Sequence, residues 1–179
     1  MLYYIHGYLS SPESTKGILL KEKLDAQPIS YRDCAPEDLV ISECLKRIDY
    51  TIKDDDNAVL IGSSLGGFLA ASTALDNSNV KRLILLNPSI IPPETDLNKY
   101  QDIPRKILED IIAEKRLFTQ QLDAEVNILI GTADELIPRS WVLEFAMAQQ
   151  ATIQFLHDDH MFSKNMERLP VIIAKIINQ

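Results

Sequence analysis

The chain has 179 residues, 46% of them hydrophobic, and a formal charge of −8, which is enough apolar content for one sizeable core but short for two. We therefore expect residues 1–179 to form a single domain. The negative charge argues against nucleic acid or an anionic membrane surface as partner, because both select basic protein surfaces, and favours a small-molecule substrate uncharged at its reacting centre.

Met1 leads into the buried-strand pattern Leu2-Tyr3-Tyr4-Ile5-His6, with no basic stretch or cleavage site before it, and no apolar run approaches the ~20 residues of a membrane span. This is the pattern of a cytoplasmic protein. Gly7 ends the first strand, and Ser10-Ser11-Pro12-Glu13 supplies a helix start with serine capping, the helix running to about Leu24. Pro28-Ile29-Ser30-Tyr31 reads as a short strand. Cys34 and Cys44 are spaced too widely for a C-x-x-C site and are too few for a disulfide framework, so buried thiols in a reducing compartment are expected.

Pro36 opens a helix whose Ile41, Leu45, Ile48 and Ile52 share one face. The acidic run Asp54-Asp55-Asp56 that follows reads as a solvated loop, since three consecutive side chains diverge and do not converge on a cation. No metal or cofactor is expected. Strands follow at Asn57 to Ser63, Val80 to Pro88, Val126 to Ile130 and Thr152 to Leu156, with helices between them, around Trp141 to Ala148, and closing the chain near Ile172 to Ile177. Only residues 89–123 break this rhythm. Ile107, Leu108, Ile111 and Ile112 recur there at helical spacing, an insertion that either caps the site, with Tyr100 or Phe118 bordering it, or packs on the sheet edge. Alternating apolar strands and amphipathic helices predict an α/β fold with about six mainly parallel strands covered on both faces.

Within that frame, Gly62-Ser63-Ser64-Leu65-Gly66 lies between an apolar strand and a helix-forming run. Gly-x-Ser-x-Gly alone arises by chance in about 6% of chains this long at ordinary glycine and serine usage. In this strand–turn–helix context it describes a nucleophile elbow, a turn so tight that Gly62 and Gly66 must lack a Cβ and Ser64 is left at the apex. Ser63 should still belong to the strand.

Residues just past the carboxyl ends of parallel strands meet on one edge of the sheet. Asp134 follows the fifth strand and His160 the sixth, giving the order Ser, Asp, His of the α/β-hydrolase triad. A serine hydroxyl needs a base to take its proton, and imidazole serves near neutral pH when a carboxylate fixes its tautomer. His157, at the strand end, reads as a wall residue, Glu135 competes with Asp134 as the acid, and His6 reads as a residue that holds the first loop. The oxyanion requires two backbone donors, for which the amides of Leu65 and Tyr8 are expected, with Gly7 letting the loop approach closely.

Tyr4-Ile5-His6-Gly7-Tyr8-Leu9-Ser10-Ser11-Pro12, Ile61-Gly62-Ser63-Ser64-Leu65-Gly66-Gly67, Leu86-Asn87-Pro88 and Asp159-His160-Met161-Phe162 together resemble the compact α/β-hydrolases and, within them, the small YqiA-like bacterial esterase group. The resemblance spans nearly the whole chain. It implies an α/β-hydrolase sheet shortened at its amino end, a triad falling on Ser64, Asp134 and His160, and hydrolysis of acyl esters without a cofactor. The expected activity is cleavage of a carboxylic ester or thioester through an acyl-enzyme. A catalytically silent hydrolase-fold binding protein, and an acyltransferase or peptidase using the same triad, are the alternatives.

Overall fold

The computed structural model describes residues 1–100 and 103–179. Six strands form one sheet: β1 (Leu2–Ile5), β2 (Gln27–Pro28), β3 (Ala58–Ser63), β4 (Val80–Leu86), β5 (Glu125–Gly131) and β6 (Thr152–Leu156). Their spatial order is β2-β1-β3-β4-β5-β6, and every neighbouring pair is parallel. The strands read as continuous apolar runs because both faces are covered. Side chains alternate between those faces with the period of two that a strand imposes. Ile5, Leu60, Leu83, Leu85, Ile128 and Ile130 join the larger core cluster, whereas Tyr4, Ile61, Ile84, Leu86 and Leu129 join the smaller one on the opposite side.

The smaller cluster is closed by α1 (Thr15–Leu24) and α7 (Leu169–Ile177), the larger by α2 (Ile41–Ile52), α3 (Leu65–Asp76) and α6 (Arg139–Gln149). Every residue of α3 from Leu65 to Ala74 is buried. An all-round apolar helix of this kind belongs at the centre of a fold, and α3 starts directly at the candidate nucleophile.

Several element boundaries differ from expectation, among them the end of β4, which stops at Leu86 and not at Pro88 because Asn87 turns to positive φ. The second strand is confined to Gln27–Pro28. Ile29 makes one further bond, its amide to the Tyr4 carbonyl at 2.8 Å, and the chain then leaves the sheet while burying Ile29 and Tyr31 in the core. The cap of α1 is Ser14, whose hydroxyl accepts from the Gly17 amide, so Ser10 and Ser11 belong to the preceding turn. Pro36 opens a single 3-10 turn, Pro36–Asp38, and α2 proper begins at Ile41. Cys44 is buried, but Cys34 is exposed, a correction to the expectation of two buried thiols. Burial pushes the Cys44 thiol up to about 11. Asp55 lies in the turn before β3, where its carboxylate accepts from the Asn57 amide.

The segment 89–123 contains α4 (Arg105–Ala113) and α5 (Arg116–Thr119); Gln101 and Asp102 within it lie outside the described residues. Ile107, Leu108, Ile111 and Leu117 are buried in the larger cluster. Gln149 on α6 binds the segment by accepting from the Leu122 amide and donating to the carbonyls of Leu117 and Gln120. Phe118 meets Phe145 edge-on, and Tyr100 tilts against Trp141 at 4.9 Å. Among the described residues no helix is long and apolar enough to cross a membrane.

Candidate active site

Ser64 stands between the last residue of β3 and the first of α3, with φ 55° and ψ −119°. A side chain at positive φ stores about 1–3 kcal/mol of strain, and the surrounding backbone holds it there. The Ser64 amide donates to the Leu86 carbonyl at 3.0 Å, while its carbonyl accepts from Gly67 at 2.9 Å and from Ser89 at 3.0 Å. A Cβ on Gly62 would run into the Gly66 carbonyl, and one on Gly66 into the Ile5 carbonyl. Helix start and strand end therefore cross at backbone contact. Ser63 ends β3, and its hydroxyl accepts from Lys16 Nζ at 3.2 Å.

The loop after β1 lies against this turn. An ideal Cβ on Gly7 would sit 3.3 Å from Ser64 Cβ and 3.8 Å from Ser64 Oγ. Its carbonyls are engaged from outside the turn: Tyr31 OH donates to Gly7 O at 3.2 Å, and Arg32 donates to Tyr8 O at 3.0 Å and Ser10 O at 2.8 Å. The buried His6 ring stacks on Tyr31 with centroids 4.3 Å apart, and its Nδ1 donates to Gly7 O at 2.9 Å. Burial holds the His6 pKa below the usual histidine value, so it remains a neutral donor that braces the loop. Leu65, as the first residue of α3, has no acceptor for its amide within the helix.

Past the ends of β5 and β6, His160 Nδ1 lies 2.9 Å from Asp134 Oδ2, with side chains only 7% and 5% exposed. A carboxylate can only accept, so the ring proton sits on Nδ1 and Nε2 is left with a free lone pair. Asp134 Oδ1 accepts from the amides of Leu136 and Ile137 at 2.8 and 3.0 Å. Both oxygens are thus fixed. Glu135 accepts from the His160 backbone amide at 3.4 Å and not from its ring. His157 is exposed, with its Nδ1 3.4 Å from Thr132 Oγ1. Among the described residues, His160 is the histidine whose ring is paired with a carboxylate. Among the described residues Ser64 Oγ has its hydrogen-bond partner in Ser89 Oγ, at 3.1 Å.

Four polar residues that sequence reasoning left without a role shape this centre. Asn87, buried at φ 43°, donates to the carbonyls of Asp159 and His160 and accepts from the Gly131 amide at 2.8 Å. Asp158, fully buried, accepts from the amides of Asp159, Lys164 and Asn165 and from Asn165 Nδ2. Burial alone would raise its pKa, but these donors outweigh it and leave the carboxyl below its usual range. Lys16, buried beneath the loop, holds Nζ 5.5 Å from the Phe162 ring centroid, and burial, opposed by Asp159 and Asp158, brings its pKa down to about 8. Ser89 is the fourth. A usable signal existed for Asn87 and Ser89, because they follow the strand that neighbours β3. Among the described residues no grouping of three or more His, Cys, Asp and Glu could hold a metal ion.

The sheet and its helices have the α/β-hydrolase fold. Est1E from Butyrivibrio proteoclasticus, solved with ferulic acid bound, superposes with a TM-score of 0.78 at 16% identity, covering 99% of this chain and 88% of that one. Alpha/beta hydrolase domain-containing protein 10 from mouse gives 0.74 at 19% identity, with 99% and 89% covered. A lipase-esterase related protein from Clostridium acetobutylicum gives 0.71 at 17%, with 97% and 93% covered. Residues 1–176 match the family described as "Uncharacterised protein family (UPF0227)", and the chain belongs to that family. The comparison with curated proteins returns no match.

Proposed function

We propose that this protein is a serine hydrolase that cleaves a carboxylic ester or thioester through an acyl-enzyme. The observation that carries the reading is the His160 Nδ1 to Asp134 Oδ2 bond of 2.9 Å on the sheet edge where the elbow presents Ser64. In this scheme Ser64 Oγ attacks the acyl carbon while its proton passes to His160 Nε2, and Asp134 stabilises the imidazolium that results. The amides of Leu65 and Tyr8 hold the oxyanion. His160 then returns the proton to the departing alcohol or thiol. A water molecule repeats the sequence in reverse roles and releases the acid. No cofactor takes part in these steps.

We assign residues 1–179 to one domain, with the segment around 89–123 as a small cap-like insertion anchored on α6 through Gln149. The free thiols suit a cytoplasmic location, and the charge of −8 suits a small-molecule substrate over nucleic acid. Nitrophenyl esters and acyl-CoA thioesters of graded chain length test the reading. Turnover of at least one series by the wild type, lost in Ser64→Ala, is expected. Equal turnover by Ser64→Ala would overturn it, as would a wild type inert across the panel that binds a ligand unchanged.

A further inference from the structure

Ser89 lies in the turn that leaves β4, beside the elbow, and touches Ser64 twice. Its amide donates to the Ser64 carbonyl at 3.0 Å, and its hydroxyl stands 3.1 Å from Ser64 Oγ. The turn that carries it is held on both sides. Pro88 packs so closely on α3 that a Cβ on Gly67 would fall 2.6 Å from the proline Cβ, and Asn87 is bound to the ends of β5 and of the His160 loop. Ser89 itself is 7% exposed. Its hydroxyl is therefore directed at the nucleophile before any substrate arrives.

A hydroxyl can donate or accept, and the chemistry discriminates between the two. Were Ser64 the donor, the proton that must reach His160 Nε2 would be committed to Ser89. With Ser89 as the donor, the Ser64 proton is free for His160, and a lone pair of Ser64 Oγ is already occupied by a fixed O–H.

We propose that Ser89 is a further catalytic residue, its hydroxyl donating to Ser64 Oγ and supporting the negative charge that develops there during proton transfer to His160. This rests on the reading of Ser64 as nucleophile. A hydrogen bond to an ionised oxygen is about twice as strong as one between neutral groups, so the interaction tightens as the transition state forms, the condition for it to accelerate the step. The same donor serves in deacylation, when Ser64 Oγ leaves the acyl group. No atom is transferred to or from Ser89: its proton stays on its own oxygen throughout.

The experiment is the pre-steady-state burst of a nitrophenyl ester, followed across pH for wild type, Ser89→Ala and Ser89→Thr, with melting temperatures recorded in parallel. Ser89→Ala should slow the burst roughly tenfold or more, with the melting temperature and the apparent pKa of the rising limb unchanged because His160 and Asp134 are untouched. Ser89→Thr, which restores a hydroxyl, should recover most of the rate. A wild-type burst rate in Ser89→Ala overturns the proposal. So does a slow Ser89→Thr accompanied by a lowered melting temperature or a displaced limb, which would reduce Ser89 to packing. Failure of the hydrolase reading looks different: the wild type itself would release no nitrophenol above the Ser64→Ala background, in burst or steady state, and the role of Ser89 would fall with it.

Discussion

The Ser64 turn and the His160 loop open on the same edge of the sheet, yet the first is made of five contiguous residues and the second of groups gathered from three other segments. At the elbow the governing force is steric. Gly62 and Gly66 leave room for two backbones to cross, and the strain at Ser64 is absorbed by bonds to its immediate surroundings. At the histidine loop the governing force is polar satisfaction. Asp158 collects four donors inside the loop, Asn87 reaches across from β4, and Asp134 meets the ring from beyond β5. A steric turn has little tolerance for any added atom, whereas a hydrogen-bonded loop can lose one member and relax. The two halves should therefore respond differently to substitution.

Gly66→Ala should produce the largest effect. The new methyl would overlap the carbonyl oxygens of both Ile5 and His6, so β1 and α3 must separate, at more than about 3 kcal/mol; urea unfolding measures the loss. Tolerance of this change within 1 kcal/mol or so would remove the steric half of the contrast.

Asn87→Ala should come next, at about 2–4 kcal/mol, because it deletes three hydrogen bonds, two of them buried, and leaves the Gly131 amide without its acceptor. Asn87→Asp keeps the acceptor for Gly131 but loses the two donors. If the loop is held as described, the aspartate variant destabilises as well, and both variants reduce esterase turnover by displacing His160. Stability falling with no change in turnover would mean that His160 is positioned without Asn87.

The smallest effect concerns Lys16, the charge buried beneath both halves. Its pKa in the folded protein is about 8, below the ordinary 10.5. Below pH 8 it is protonated folded and unfolded alike, and its burial cost is fully present. Between pH 8 and 10 the folded protein sheds the proton while the unfolded chain retains it, so stability due to Lys16 rises with pH. Wild type should therefore gain on Lys16→Met across that window, by on the order of 1–2 kcal/mol, as read from unfolding at paired pH values. A gap that is constant from pH 7 to 10 would show that Lys16 keeps its proton in the fold.

The same contrast explains what the sequence disclosed. An elbow is written in contiguous residues whose spacing is set by covalent geometry, so Gly62, Ser64 and Gly66 could be placed before any coordinates. The parallel sheet was legible for a related reason: strands buried on both faces leave continuous apolar runs, as in β3 and β4. Ser89 and Asn87 are marked in the sequence only by following the strand that neighbours β3, and nothing local distinguishes a serine that binds Ser64 from one that opens a loop. Asp158 next to Asp159 resembled any acidic turn until the amides it gathers were seen. The misjudged start of α1 has a similar origin, since Ser10, Ser11 and Ser14 are all acceptable caps by type and only the path of the chain selects Ser14.

Activation of Ser64 as a nucleophile by His160 is tested most directly by fluorophosphonate labelling read by intact mass and peptide mapping. Wild type should gain one phosphonyl group, located on Ser64; Ser64→Ala should gain none, and His160→Ala should label far more slowly. Labelling of Ser64→Ala to the wild-type extent, or a wild type that takes up no label, would contradict the account.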